Sequence, residues 1–532
     1  MGKISDAGYE ETEEVLKELE ERIAEEYKTA EAEVQEKLNK HIKHYTSLNE
    51  EKLQDVEDGV MTEEEYEQWL FGQLAMGERW NELRENLAED FTNASQIAKS
   101  TAFETMPEVY AINHDYGTYQ VESESLVDTG YTLYSRESAE FLFNGGTFYP
   151  SAGVKLTEAI NSGKTKAWNK KLIQSAMTQS ILQGESVNAI ANRIATTVGE
   201  RNKNSDIRNA RTMTTCVQNA GRNDAYTRAN EQGIDTEKEW LAVMDDRTRH
   251  EHRLLDGQHV PTDEKFKVGG YELRYPADPS APAFLVYNCR CTLLPRLARF
   301  NGTGNDTPNH DYNEALGDMT YNEWKYDKYT KQAVSEIKSG GHISNETADR
   351  ISNGEVSKTR VMMDSLGVSR KEADNYVDCI ESYTGNEHIS VRKYQQGKTT
   401  DPSEKAYIAP RAEALEDFID KSTKWTGGTT YRAIGLTDTE LNDMIESVNK
   451  GEEMTMLGTS SWSSEKEVAD EHPINKANRV VFECKTQKNG TSVRAYQTVE
   501  TEREVLVSQK SKYKGTSTRT EDGVTYITLE EI

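Results

Sequence analysis

At 532 residues the chain is long enough for roughly three or four domains of ~150 residues each. Its 92 acidic side chains outnumber 63 basic ones, a net charge of −29, which excludes a phosphate-binding surface over the whole molecule and any broad, direct, sequence-specific reading of nucleic acid. Apolar runs such as Ala283–Tyr287 are too short for a membrane helix, and no membrane partner is expected.

The first residues, Met1–Asp6, have no apolar core of a secretory signal, and Asp6 stands where a myristoylation signal needs Ser or Thr. Five scattered cysteines (Cys216, Cys289, Cys291, Cys379 and Cys484) fit a chain made in a reducing cytosol. Leu19, Ile23, Tyr27, Ala30, Val34, Leu38, Ile42 and Tyr45 recur every three or four residues, without Pro or Gly from Tyr9 to Tyr45. That period predicts a long amphipathic helix whose stripe serves packing or oligomer contacts. A second helical stretch runs from Thr62 to about Ser100, with Thr62 and Glu65 as a capping box. Helical periodicity returns over Asn169–Val198, broken at Gly184, and a third helix is predicted over Ile207–Glu231. Trp240–Met244 reads as a strand. Residues Asn301–Lys358, rich in Asn, Gly, Asp, Ser and Thr, read as a linker with one or two short helices. Beyond it, helices are predicted at Glu372–Tyr383, Ala412–Ser422 and Asp438–Asn449. Strands follow at Arg479–Cys484, Ser492–Tyr496, Glu504–Ser508 and Val524–Leu529. Helices first and strands last predict an α+β unit with a mixed, antiparallel β core. The expected division is a helical region over 1–168, a small α+β domain over 169–298, a linker over 299–358 and the α+β domain over 359–532.

Between Trp240 and Cys291 lie His250, His252, His259 and the Cys289-Arg290-Cys291 triplet. A His-x-His and a Cys-x-Cys could supply four N/S ligands to zinc. The alternative is that Asp245, Asp246, Arg247 and Arg249 form a surface hydrogen-bond network while the cysteines pack as small hydrophobes. The run Asp246-Arg247-Thr248-Arg249, His252, Leu255-Asp256-Gly257-Gln258 and Asn288-Cys289-Arg290-Cys291-Thr292 resembles tailed-phage minor head proteins of the Mu F type, over about Lys170–Leu297. Many relatives carry cysteines where this chain has Arg249 and His252, and a His where it has the neighbourhood of Phe284–Tyr287. That departure counts against a metal, so none is assigned, with His252, Cys289 and Cys291 as the candidates. The resemblance implies a low-copy structural protein inside a phage head, with portal and capsid proteins as partners.

Three separated features mark the C-terminal unit. Arg432 sits in a strand-like run, Thr430–Ile434, where a buried guanidinium calls for an anion. Ser461-Trp462-Ser463 ends a hydroxyl-rich turn. Glu502 and Glu504 alternate along a strand and so share a face. The order Arg, Ser-x-Ser, Glu-x-Glu resembles the arginine–serine–glutamate group of mono-ADP-ribosyltransferases, the fold of many bacterial exotoxins, from about Val361 to Ile532. Ile380–Gly385 and Gly490–Val493 add to the likeness. Two departures are Trp462, in place of a Thr, and Ala433, in place of a small residue that is often Gly.

The resemblance implies NAD+ as substrate, no metal for the transfer, and a site built from Arg432, Ala433, Ser461, Ser463, Glu502 and Glu504. Glu504 would grip the ribose beside an oxocarbenium-like centre, with Ser461 holding Glu504 and Ser463 supporting the wall. Arg432 would hold the phosphates. Glu502 would orient an acceptor arginine, whose guanidinium attacks poorly until a carboxylate takes its proton. Together the two resemblances imply a virion head protein carrying an arginine-directed transferase, injected with the DNA or released as a toxin. The alternatives are a structural head protein with an inactive transferase fold, and an NAD glycohydrolase.

Overall fold

The computed structural model describes residues 6–76, 78–134, 139–140, 166–182, 189, 192–297, 311–497 and 503–532. The chain divides into two compact units, Met1–Tyr321 and Asn322–Ile532.

The first unit is built on three long helices, Ala7–Glu57, Glu78–Ser125 and Gly199–Glu231. The predicted stripe of the first helix is its buried face: Leu19, Ile23, Tyr27 and Ala30 pack against Ala94, Met106 and Val109 of the second and Ala210, Met213 and Val217 of the third. Val34 and Leu38 continue into a neighbouring cluster with Leu87, Phe91 and Ile173. Asp6 caps the first helix by accepting from the Tyr9 amide at 2.9 Å. The same carboxylate holds the fully buried Arg222 guanidinium at 2.7 Å, which pins the start of one helix to the middle of another. The predicted capping box is present: the Thr62 amide donates to Glu65 and the Glu65 amide donates to the Thr62 hydroxyl. The helical region and the segment that follows it share these cores, so the expected boundary at 168/169 does not separate two bodies.

After Glu231 the chain forms a three-stranded antiparallel sheet, with Thr236–Leu241 between His259–Pro261 and Thr292–Leu297. The strand expected at Trp240–Met244 therefore begins four residues earlier. Thr236, Lys238 and Trp240 alternate inward, and the buried Lys238 disguises the pattern. Its ammonium donates to the Thr262 carbonyl at 2.7 Å and to Asn223 at 2.9 Å.

In the second unit the described strands form one eight-stranded sheet. Its order is Gly490–Ser492, Glu504–Val507, Ser460–Ser463, Thr430–Leu436, Asn478–Cys484, Val524–Glu531, Lys512–Glu521 and Glu453–Thr455. All pairings are antiparallel except Asn478–Cys484 with Val524–Glu531. Helices Arg370–Ser382 and Asp438–Lys450 occupy the predicted places, while Pro402–Lys421 begins ten residues before the expected start at Ala412. The expected strand at Ser492–Tyr496 stops at Ser492. Val493, Ala495 and Tyr496 are all buried, which breaks a period of two, and the Tyr496 and Gln497 amides both donate to the Val493 carbonyl.

The expected linker gives way over Asn322–Lys358. Helices Tyr321–Lys338 and Asn345–Ser352 fill most of it, and Ser344 and Ser357 cap the helices that follow them. Its hydroxyl-rich composition is partly capping chemistry. The segment is also tied to the sheet side of its unit: His342 stacks on Trp425, the Thr426 amide donates to the Gly340 carbonyl, and Arg494 donates to the Ile343 carbonyl at 2.8 Å. Residues 299–310 of the expected linker lie outside the described residues.

Candidate active site

Three neighbouring strands carry the predicted residues. The arginine strand (Thr430–Leu436) pairs with the serine strand (Ser460–Ser463), which pairs with the glutamate strand (Glu504–Val507). Ser463 is the pivot of this register. It lies across from Tyr431 on one side and Glu504 on the other, while Ser461 lies across from Leu506. Strand alternation then separates the motif: Ser461 and Ser463 line a cleft, whereas the Trp462 ring enters the core against Phe482 and Tyr513. The Trp462 indole N–H donates to the Ser460 hydroxyl at 2.9 Å. The substitution of Trp in the motif therefore fills a core position and leaves the cleft-facing hydroxyls in place.

The cleft has a volume of about 380 Å³, within the usual size for a small-molecule site. Arg432, Ala433, Ser461, Ser463 and Glu504 all line it. Glu502 lies outside the described residues. Glu504 is 4% exposed, its amide accepted by the Gln497 side chain at 2.9 Å and its carbonyl accepting from the Val493 amide. Arg503, just before it, has a positive φ of 44° and forms an ion pair with Glu465, the residue that opens the helix after the serine strand. The entry to the glutamate strand is thus tied to the exit of the serine strand.

Arg432 donates one Nη1 bond to the Ser461 carbonyl. Its Nε is buried with no hydrogen-bond partner among the described residues. Burial, reinforced by the nearby Arg392 charge, pulls its ionisation down to about 10. Arg392, on the helix His388–Gln395, also lines the cleft and also has a buried, unpartnered Nε; its Nη2 donates to the Met456 carbonyl at 2.8 Å. Two guanidinium groups thus meet at one cleft with donors left over. Tyr383 completes the wall. Its hydroxyl donates to the Thr459 carbonyl at 2.7 Å, and burial pushes its ionisation up to about 12 against the two arginines. Tyr383, His388, Arg392 and His472 also line the cleft, beyond the residues expected there. Only Tyr383 carried a signal, as part of the Tyr-Thr-Gly text. Arg392 sits on a short helix whose role is visible only in three dimensions: with Gln395, which donates to Thr459, it grips the loop that feeds the serine strand.

The other predicted cluster lies in the first unit. His252, Cys289 and Cys291 converge there, all buried. His250 is exposed and His259 bonds Glu237 at 2.7 Å, so the four-ligand His-x-His set does not assemble. Part of the alternative network does form: the Arg247 amide donates to the Asp245 carboxylate at 2.9 Å. Asp245 also holds Arg290, which that network did not include, through two bonds of 2.6 and 2.7 Å.

A cleft that offers spare guanidinium donors beside serine hydroxyls and a buried carboxylate suits a ligand with phosphates at one part and a sugar at another. Residues 171–294 match the family model described as Phage Mu protein F like protein. The chain is 24% identical over 383 residues to the NAD(+)--arginine ADP-ribosyltransferase EFV of Enterococcus faecalis, covering 68% of this chain and 71% of that protein. This alignment is longer than either unit, so it spans parts of both. Over 127 residues the chain is 32% identical to the minor head protein GP7 of Bacillus phage SPP1, covering 23% of this chain and 39% of that protein. Among solved structures, the Vis toxin, an ADP-ribosyltransferase from Vibrio splendidus, aligns at 18% identity with a TM-score of 0.27, over 37% of this chain and 90% of its own. The chain therefore joins a Mu F-like segment to a segment similar in sequence to an ADP-ribosyltransferase. Among the described residues, no helix is long and apolar enough to cross a membrane.

Proposed function

We propose that the second unit transfers ADP-ribose from NAD+ to an arginine side chain and that the first unit is a minor head component that carries it within a phage particle. The observation that carries the enzymatic reading is the meeting of Arg432, Ser461, Ser463 and Glu504 in one cleft from three adjacent strands. Arg432, with Arg392 beside it, holds the pyrophosphate. Ser461 and Ser463 line the ribose side, and Glu504 stabilises the positive charge that develops on the ribose as its bond to nicotinamide breaks. Nicotinamide leaves as a neutral base. A guanidine nitrogen forms the new bond to the same carbon, and its proton passes to Glu502 and then to solvent. The acceptor specificity rests on Glu502 and on the named relative. Portal and capsid partners, and a place inside the virion head, rest on the Mu F-like segment.

The test is transfer of labelled ADP-ribose from NAD+ to agmatine by the full chain. Wild type is expected to label agmatine, and Glu504→Ala to lose at least about 100-fold of the rate, the scale of removing one preorganised electrostatic group. Equal, low signals from both would sink the enzymatic reading. Release of nicotinamide without any labelled acceptor would replace it with a glycohydrolase.

A further inference from the structure

The His252, Cys289 and Cys291 cluster is not used by the transfer reaction, and its geometry is specific. The His252 Nδ1 lies 3.3 Å from the Cys291 sulfur and 3.7 Å from the Cys289 sulfur. A tetrahedral zinc with Zn–S near 2.3 Å and Zn–N near 2.0–2.1 Å sets the N···S edge at about 3.6 Å. The two observed separations bracket that edge, and the three ligand atoms all lie within 4.8 Å of one another.

The imidazole is oriented for this role. Its Nε2 is 3.1 Å from the Leu285 carbonyl, an acceptor only, so the ring proton sits on Nε2. The Nδ1 lone pair is then left facing both sulfurs. A backbone carbonyl that fixes the tautomer is a common support for a metal-binding histidine. Trp240 holds the ring edge-on, with centroids 5.8 Å apart.

The two cysteines are preorganised as well. Thr215 donates to the Cys289 carbonyl and Asn219 to the Cys291 carbonyl, both at 3.1 Å, so the helix Gly199–Glu231 fixes the backbone on either side. Arg290, between them, points the other way to its ion pair with Asp245. Cys289 and Cys291 are both buried on either side of it.

Charge favours the same conclusion. The two cysteines belong to a buried apolar core that also contains Trp240, Leu255, Leu285 and Leu293, where an isolated ion is costly. One Zn2+ with two thiolates and a neutral imidazole carries no net charge. We propose that His252 Nδ1, Cys289 Sγ and Cys291 Sγ bind one Zn2+ with a solvent molecule as fourth ligand, and that this metal ties the helix His250–Leu255 to the segment entering the strand Thr292–Leu297. Zn2+ binds both sulfurs as thiolates, and any thiol proton displaced passes to solvent, without any change of oxidation state.

Elemental analysis of the reduced full-length chain, incubated with Zn2+ and freed of loose metal, tests the site. About one zinc per chain is expected. Cys289→Ser, Cys291→Ser and His252→Ala should each lose it, while Cys216→Ser and Cys379→Ser, whose thiols lie elsewhere, should keep it. Because a variant at the cluster can fail to fold, the wild type carries a second measurement. Co2+ added to the metal-free chain should give a thiolate-to-cobalt absorption band, and Zn2+ should abolish it. A wild-type chain that takes up neither ion, or cluster variants that fold and keep a full equivalent of zinc, would overturn the assignment and leave the cysteines as packing residues.

Discussion

Replacing Arg432 with methionine should make the second unit more stable and unable to respond to NAD+. The Arg432 guanidinium is drawn well below the ordinary arginine range, to about 10, by burial and then by Arg392. At about 1.36 kcal/mol per unit, the folded unit carries a penalty of about 3 kcal/mol for keeping this group charged. The direction follows from linkage. Folding disfavours the protonated form, so the penalty is fully present below about pH 10 and is relieved only as pH rises from there toward the ordinary arginine range. Methionine keeps much of the stem and removes the charge. It also gives up the bond to the Ser461 carbonyl, worth about 1.5 kcal/mol for a charged donor. The balance is a gain of about 1–2 kcal/mol, or roughly 4 °C in the midpoint of a unit this size. Calorimetry of the full chain with and without NAD+ reads both effects. In wild type the transition that NAD+ raises belongs to the second unit. In Arg432→Met it should start higher and no longer move. A lower midpoint together with a retained NAD+ shift would refute both the strained cation and its role as the phosphate partner.

Other perturbations separate packing from chemistry. Trp462→Ala should destabilise the second unit by about 3–5 kcal/mol in a urea melt, because it empties the space against Phe482 and Tyr513. Ser461→Ala, its neighbour on the cleft face, should change the same melt by less than about 1 kcal/mol while lowering transfer to agmatine. Glu502→Gln should suppress agmatine labelling but spare nicotinamide release, read by chromatography; parallel loss of both would deny it an acceptor role. In the first unit, burial raises Asp224 to about 7, with the Tyr110 hydroxyl donating to it at 3.0 Å. An acid raised in the folded state stabilises less as pH climbs, so this contribution fades between about pH 4 and 7 and stays lost above. Asp224→Asn should therefore gain on wild type across that window, by about 4 kcal/mol at most; an unchanged difference between pH 4 and pH 8 would contradict the burial argument.

Much of this architecture was legible from periodicity and from separated polar motifs. The stripe from Leu19 to Leu38 is a buried face because a helix packed on one side repeats its apolar residues every three or four positions. Arg432, Ser461, Ser463 and Glu504 were recognisable as a set because their order along the chain resembles that of the arginine–serine–glutamate transferases, and strand alternation accounts for Ser461 and Ser463 sharing the cleft face. What escaped notice has physical reasons. The strand Lys512–Glu521 is polar along much of its length and holds its place by pairing with Val524–Glu531, so it shows little apolar pattern. Helices were expected in Asn301–Lys358, but only as one or two short ones in a linker; the polar, serine-capped text disguised the length of Tyr321–Lys338. Arg392 reaches the cleft from a helix more than sixty residues before the loop it grips, and no local spacing encodes that distance. His252, Cys289 and Cys291 were named as candidates, but the sequence does not encode that His252 alone of the three nearby histidines joins the two sulfurs, with its Nε2 3.1 Å from the Leu285 carbonyl.

The sheet order also dictates when the cleft can exist. The arginine strand leans on Asn478–Cys484, and that strand is flanked on its far side by Val524–Glu531. During translation, Arg432, Ser461 and Glu504 all leave the ribosome before the strand that completes the middle of their sheet. Pairings this distant in sequence form late. A nascent chain, or one cut short before Val524, has every cleft residue synthesised but lacks a finished platform to array them on, so the producing cell would meet the working cleft only after the sheet has been delivered whole.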